Sequence, residues 1–398
     1  MNFSFADRVQ GLNPSAIREI LKYAADPEVV SLSAGNPAPE AFPVKELAEI
    51  SAQIFAQQPI DALQYNVTEG YAPLRRHLLS YMQNKHHVGR DFDDILITAG
   101  AQQAVELVTK VLCNPGDVAI CENPSFVGSL NSIRSLGGRL VGVPMEEDGM
   151  DLAALEQALK DNPTTKLIYT IPNFQNPSGI TMSLEKRRGM LELAKRYQVL
   201  ILEDNPYGDL RYSGEPVPAI KSLDDEGCVM YTGTCSKVIA PGLRVGYAIA
   251  PKTLLQKMIV CKQGEDVHTA IWSQMLCEAF MTRCDYEAHL EYLRDLYRHK
   301  AERMIALIEE HLVPHGITYH PIQGGLFVWC ALPDGANMPE FCTKAVKEYK
   351  VAIVPGNAFL TDEKMPCQAF RLNFSTPTDE DMRKGVERLG ELARGFLK

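Results

Sequence analysis

The residues of this chain best placed to do covalent chemistry lie in Thr232-Gly233-Thr234-Cys235-Ser236-Lys237-Val238-Ile239-Ala240-Pro241-Gly242-Leu243-Arg244-Val245-Gly246-Tyr247. Lys237 follows two hydroxyl side chains at the end of an apolar run, and Arg244 comes seven residues after it. A lone lysine is commonly a solvated surface charge, but this one sits in a weakly charged stretch. Deprotonated there, it can attack a carbonyl and form a Schiff base. Three further segments carry polar groups at the ends of apolar runs. Glu203-Asp204-Asn205-Pro206-Tyr207 sets a phenol three residues after a carboxylate, and a solvated loop explains it as readily. Ile171-Pro172-Asn173-Phe174-Gln175-Asn176-Pro177-Ser178-Gly179 holds the residue types of a plain turn. Ala99-Gly100-Ala101-Gln102-Gln103 opens a helix, where free N–H groups and the helix dipole favour phosphate, although glycine suits any such turn.

Short apolar runs alternating with helical patterns must position these groups. Ile95–Thr98, Val118–Cys121, Leu140–Val143, Leu167–Thr170, Val199–Leu202, Val229–Thr232 and Val245–Ile249 read as seven strands. Ala101–Leu112, Asp151–Lys160 and Ser183–Tyr197 read as helices between them. Such alternation implies an α/β fold with a mostly parallel sheet covered on both faces. Ligands of open α/β sheets bind beyond the carboxyl ends of the strands, where the polar segments fall. After Pro251 the pattern changes. A charge-laced helical stretch runs from about Ala270 to His311, followed by strands at Gly325–Ala331, Val351–Val354 and Phe370–Phe374 and by helices from Met338 and Thr378. This suggests a smaller α+β domain. The first 45 or so residues carry no sheet signal and are expected to pack with it.

The 398 residues carry 40 Lys+Arg against 50 Asp+Glu, a net charge of −10. That balance argues against bulk electrostatic binding of nucleic acid or anionic membrane. No run approaches the roughly 20 apolar residues of a membrane helix. Asp7 and Arg8 stand where a signal peptide would be apolar. The ten cysteines include no Cys-x-x-Cys pair, so no metal is expected, and buried free thiols in a reducing cytoplasm are.

Ser236-Lys237 with Pro241-Gly242-Leu243-Arg244-Val245-Gly246, Asn176-Pro177-Ser178-Gly179, and Asp204-Asn205-Pro206-Tyr207 together resemble the signatures of fold-type-I pyridoxal-phosphate aminotransferases, in that family's order. The likeness extends from Arg18 to Arg371 and is nearest to the class I/II subgroup of 2-aminoadipate and kynurenine aminotransferases. It implies an aspartate-aminotransferase-like fold: a large domain over residues 46–285, a small C-terminal domain over 286–398, and an N-terminal segment, 1–45, that covers the active site. It also implies transfer of an amino group from an L-α-amino acid to a 2-oxo acid, with 2-oxoglutarate expected.

The resemblance implies roles residue by residue. Lys237 is similar to the lysine that holds pyridoxal 5′-phosphate and moves the proton between substrate and cofactor. Asp204 resembles the carboxylate facing the pyridine nitrogen, and Tyr207 and Asn176 the pair hydrogen-bonded to the phenolic oxygen. Arg244, Thr234 and Ser236, with the backbone at Gly100, Ala101 and Gln102, resemble the phosphate cup. Phe126, in Glu122-Asn123-Pro124-Ser125-Phe126, matches the aromatic that stacks on the ring. Tyr65 resembles a tyrosine that reaches the phosphate of a neighbouring subunit, which implies a homodimer. Arg371 and Gly35 resemble contacts to the substrate α-carboxylate, and Ser15 and Arg18 contacts to a distal carboxylate. The chain departs from the pattern at Ala101, where many relatives carry a hydroxyl, and at Phe126, where tyrosine is common. A β-lyase or decarboxylase on the same fold shares Lys237, Asp204 and Arg371. A regulator carrying such a domain would need a basic recognition helix, and none is seen before the first strand.

Overall fold

The computed structural model describes residues 3–10 and 26–397. The expected seven strands form one sheet: β2 (Asp93–Thr98), β3 (Val118–Asn123), β4 (Arg139–Glu146), β6 (Thr165–Thr170), β7 (Leu200–Asp204), β8 (Val229–Thr234) and β9 (Gly246–Pro251). A two-residue strand, β5 (Gly149–Met150), extends one edge, giving the order β2-β9-β8-β7-β6-β3-β4-β5. β4, β3, β6, β7 and β8 run parallel, while β9 is antiparallel to both of its neighbours, β8 and β2. The central strands are buried on both faces, as their continuous apolar runs require.

Helices cover those faces, and local chemistry starts several of them. Asp151 accepts the N–H groups of Ala153 and Ala154 ahead of Leu152–Asp161, and Ser183 accepts that of Lys186 ahead of Leu184–Tyr197. The stretch expected as one long helix from Ala270 is two helices, Ile271–Arg283 and Tyr286–His311. The side chain of Asp285 caps the second through the N–H of Ala288, an N-cap that a periodicity reading passes over. A further helix, Lys252–Gln263, fills a span to which no element had been assigned.

The C-terminal part holds an antiparallel sheet in the order β10 (Thr318–Tyr319), β11 (Phe327–Ala331), β14 (Ala369–Asn373), β13 (Val354–Pro355). The strand expected over Val351–Val354 is split at Ile353. β12 (Val351–Ala352) pairs instead with β1 (Val30–Ser31), a strand too short to leave a pattern in the N-terminal segment. All ten cysteines are free thiols. No helix among the described residues is long and apolar enough to cross a membrane.

Candidate active site

The parallel strands end on one edge of the large sheet, and each delivers a polar group there. Asp204 closes β7, Thr234 closes β8, and Thr98 closes β2 just before Gly100. Arg244 reaches the same edge by the opposite route. β9 runs backwards, so the residues entering it stand beside those leaving its neighbours, with Gly246 paired to both Thr98 and Thr234. The closeness demands glycine at two places. A Cβ at Gly246 would lie 2.5 Å from the Gly100 carbonyl carbon, and one at Gly100 would lie 2.2 Å from Arg244 Nη2. Gly100 also adopts φ +80°, which favours glycine on its own account.

A cradle for an anion results. Arg244 Nη2 donates to the Ala99 carbonyl at 3.0 Å, the Thr234 and Ser236 hydroxyls stand 2.9 Å apart, and Ser236 N–H donates to Thr234 Oγ1 at 3.1 Å. Gly100 caps the helix Ala101–Leu112, whose first N–H groups have no intrahelical acceptor. The Gln102 side chain turns elsewhere, donating to Gly128 O and Ser132 Oγ, which leaves only its backbone for this cradle.

Lys237 Nζ donates to the Gly35 carbonyl at 2.8 Å and lies 6.0 Å from the centre of the Tyr207 ring. Burial, with Arg371 and Arg244 nearby, lowers its pKa to about 8, so an appreciable neutral fraction exists near neutrality. Asp204 is buried, which raises its pKa to about 6 against the hydrogen bond from Tyr169. Tyr169 Oη donates to Asp204 Oδ2 at 2.8 Å, whereas Asp204 Oδ1 is buried with no partner. An orphaned carboxylate oxygen at a strand end is what a protonated ring nitrogen would satisfy.

Arg371 comes from the centre of the small sheet, β14, opposite Trp329 and Val354. Its guanidinium donates to Asn176 Oδ1 at 2.8 Å and to Ser33 O at 2.9 Å, and its Nε has no partner. The guanidinium carbon lies 4.0 Å from the centre of the Phe327 ring and 5.0 Å from that of Phe359. Burial pulls its pKa down to about 10, against the pull of Tyr207. Burial raises the pKa of the Tyr207 phenol, against the pull of Arg371 and of the nearby Asn176 amide. Lys237, Asn176, Tyr207, Arg371 and Gly35 thus form one cluster, with Asp204 in contact electrostatically through Tyr207.

Phe126 is half-buried and precedes the helix Val127–Ser135, with its ring against Gly128. Tyr65 stands apart at 79% exposure, its ring edge-on to His268. Ser15 and Arg18 lie outside the described residues. Sequence reasoning missed Tyr169, the two rings on Arg371, and the buried carboxylate of Glu122. The signal for Glu122 was present: a carboxylate closing the apolar run Val118-Ala119-Ile120-Cys121.

Comparison with known proteins agrees with this geometry. The pattern of aminotransferase class I and II matches residues 27–389. The chain is 37% identical to aromatic-amino-acid aminotransferase 1 of Thermococcus litoralis, covering 99% of this chain and 95% of that protein. It is 37% identical to the 2-aminoadipate transaminase of Thermus thermophilus, over 98% of this chain and 96% of that protein. The crystal structure of a Thermus thermophilus alpha-aminoadipate aminotransferase, complexed with N-(5'-phosphopyridoxyl)-L-leucine, superposes with a TM-score of 0.90 at 36% identity, covering 99% of this chain and 98% of that one. With a half-buried lysine, an anion cradle and an orphaned carboxylate oxygen gathered at one sheet edge, the chain belongs to the class I and II aminotransferases, and its cofactor is pyridoxal phosphate.

Proposed function

We propose that this aminotransferase moves the amino group of an L-α-amino acid to 2-oxoglutarate in a ping-pong cycle. The observation that carries the reading is the pairing of Lys237, an amine with its pKa lowered to about 8, with Arg371, a buried guanidinium whose Nε has no partner. When bound, pyridoxal phosphate supplies an aldehyde that accepts the amino group and a ring that draws electrons from the substrate Cα. The chain's own residues do the rest. Arg371, with the backbone at Gly35, holds the α-carboxylate by the bidentate geometry that lysine lacks. Lys237 Nζ would take the proton from Cα and deliver it two bonds away, to the cofactor carbon that carried the aldehyde. Asp204 Oδ1 would keep the ring nitrogen protonated, and Tyr207 and Asn176 would hydrogen-bond the phenolic oxygen. Arg244, Thr234, Ser236 and the backbone at Gly100, Ala101 and Gln102 hold the phosphate, while Phe126 stacks on the ring. In this reading residues 46–285 carry the cofactor, 286–398 form a small domain, and 1–45 cover the site. The Ser33 and Gly35 carbonyls on Arg371 and Lys237 support that cover. Ten unpaired thiols suit a cytoplasmic setting.

The test is a panel of amino donors with 2-oxoglutarate. Each turnover should yield one glutamate and one new 2-oxo acid. Release of ammonia with pyruvate, independent of any oxo acid, would identify a lyase instead.

The homodimer is part of the same proposal. Ile60, Leu63, Tyr65 and Val67 form a run of largely exposed apolar side chains, which a partner subunit would cover. Tyr65 would then reach the partner's phosphate. Mixing Tyr65→Ala with Lys237→Ala, both inactive alone, should restore activity, because the heterodimer keeps one intact site. No recovery after demonstrated subunit exchange would remove Tyr65 from the shared site.

Ser15 and Arg18 are proposed to select the substrate side chain. The relatives named for aromatic amino acids and for 2-aminoadipate support a choice between apolar and acidic donors. Arg18→Ala should lower kcat/KM for glutamate or 2-aminoadipate by about 1–3 kcal/mol, the scale of one charge-assisted contact. Leucine and phenylalanine should be affected much less. Equal losses for both donor classes would assign Arg18 to another task.

A further inference from the structure

Behind the site lies a carboxylate for which the chemistry above has no use. Glu122, the penultimate residue of β3, has no exposed surface. Burial pushes its pKa up to about 7, with the nearby Asp204 charge adding to the rise, against hydrogen bonds from Thr170, Gln175 and Ile171. Those bonds are specific. Oε1 accepts the Thr170 hydroxyl at 2.5 Å, Oε2 accepts Gln175 Nε2 at 3.0 Å, and both oxygens share the Ile171 N–H at 3.2 Å. A buried carboxylate so fully partnered holds its donors in place, because releasing any of them leaves a polar group unsatisfied.

What it holds is the segment carrying Asn176. The second N–H of the Gln175 amide donates to the Pro124 carbonyl at 2.8 Å, and Gln175 Oε1 accepts both the N–H and the hydroxyl of Ser178. The backbone closes the same loop through Gln175 N–H to Ile180 O and Gly179 N–H to Gln175 O. Asn176, the next residue, accepts from Arg371 and lies close enough to Tyr207 to pull the phenol pKa down against burial. From Pro124 the connection continues to the other flank: Ser125 N–H donates to the Phe359 carbonyl at 2.8 Å, and the Phe359 ring lies on Arg371.

We propose that Glu122 is a positioning residue of this active site: acting through Gln175, its carboxylate sets the Asn176 loop and the Pro124–Phe126 loop in register at the ends of β6 and β3. The inference rests on the reading of Asn176 and Phe126 as residues that face the cofactor. Glu122→Gln retains the shape but leaves one acceptor oxygen where there were two, so either Gln175 Nε2 loses its acceptor or the Thr170 hydroxyl must turn from donor to acceptor, and the clamp loosens. Weaker donation from Asn176 and Tyr207 to the phenolic oxygen would raise the pKa of the nitrogen through which Lys237 would hold the cofactor, which those hydrogen bonds keep low in this reading.

The experiment is a pH titration of the visible band of the cofactor-loaded protein, with the dissociation constant of pyridoxal phosphate from the apoprotein and thermal unfolding measured alongside. In Glu122→Gln the spectral midpoint should rise by about half a unit or more and cofactor binding should weaken by about tenfold, the scale of a buried donor left unsatisfied. Thr170→Val removes one donor and keeps the carboxylate. It should move both readouts in the same direction by less, and it carries the test if Glu122→Gln does not fold. A fall in melting temperature with an unchanged midpoint and unchanged cofactor affinity would make Glu122 a packing residue and overturn the proposal. A wild-type protein whose cofactor cannot be trapped on Lys237 by borohydride would instead overturn the site reading beneath it, so the two failures are distinct.

Discussion

Lys237→Ala should leave a protein that still binds pyridoxal phosphate through the Arg244, Thr234 and Ser236 cradle, yet transaminates about 10²–10⁴-fold more slowly or worse. That range is what one positioned acid–base group contributes, and in the proposed mechanism the same nitrogen also makes the covalent attachment. Borohydride reduction followed by mass spectrometry checks the assignment: the wild-type adduct should sit on Lys237, and the variant should have none. Reduction of another lysine would refute it. The lowered pKa adds a pH arm. Only the neutral amine attacks the aldehyde, and the Lys237 pKa, brought down from 10.5 to about 8 by burial and two arginines, sets the neutral fraction. Loading of the apoprotein with cofactor should therefore accelerate as pH rises through about 8 and level off above it. An ordinary surface lysine would keep accelerating for about two further units.

Asp204→Asn should be nearly as damaging, at about 3–5 kcal/mol, or two to four orders of magnitude in kcat/KM, because it removes one partner of a buried charge pair while keeping the shape. The asparagine can still accept from Tyr169, so the side chain stays in position and the loss measures charge. Tyr169→Phe separates the two effects. Its phenol, kept protonated by burial, donates to Asp204 Oδ2 and opposes the desolvation that lifts Asp204 to about 6. Without that donor, Asp204 should take up its proton at higher pH. The acidic limb of the apoprotein's cofactor-binding profile should move upward in Tyr169→Phe, with a loss at neutral pH far smaller than in Asp204→Asn. An unchanged acidic limb would show that Tyr169 does not govern Asp204.

Much of this molecule was legible from local pattern. Strands buried in the sheet are continuous apolar runs, so β2–β4 and β6–β9 announced themselves while the two-residue β5 did not, and polar residues closing such runs marked the edge where chemistry gathers. The helix read at Ala101–Leu112 matches the observed bounds, because Gly100 and the apolar spacing after it are local signals. The break at Cys284–Asp285 was not legible, because apolar spacing runs on across a capping residue. Nor was the direction of β9: a strand buried on both faces has the same composition whichever way it runs, yet only the antiparallel course carries Arg244 to the edge shared by Gly100 and Thr234.

The sequence by itself determined the reactive groups: a lysine after two hydroxyls, a carboxylate before a phenol, and arginines just ahead of β9 and within β14. Which of these meet was decided by tertiary structure alone. Arg371 and Asn176 are 195 residues apart, and Lys237 and Gly35 are 202 apart. No local propensity encodes contacts at such separations, since they exist only once two sheets have packed. The same holds for the polar groups that support the site. Tyr169 on β6 reaches Asp204 on the adjacent β7, and Glu122 on β3 reaches across to Gln175 beyond the end of β6. Those partnerships follow from strand order, and burial compels them, because a carboxylate withdrawn from water is tolerated only where the fold brings it donors.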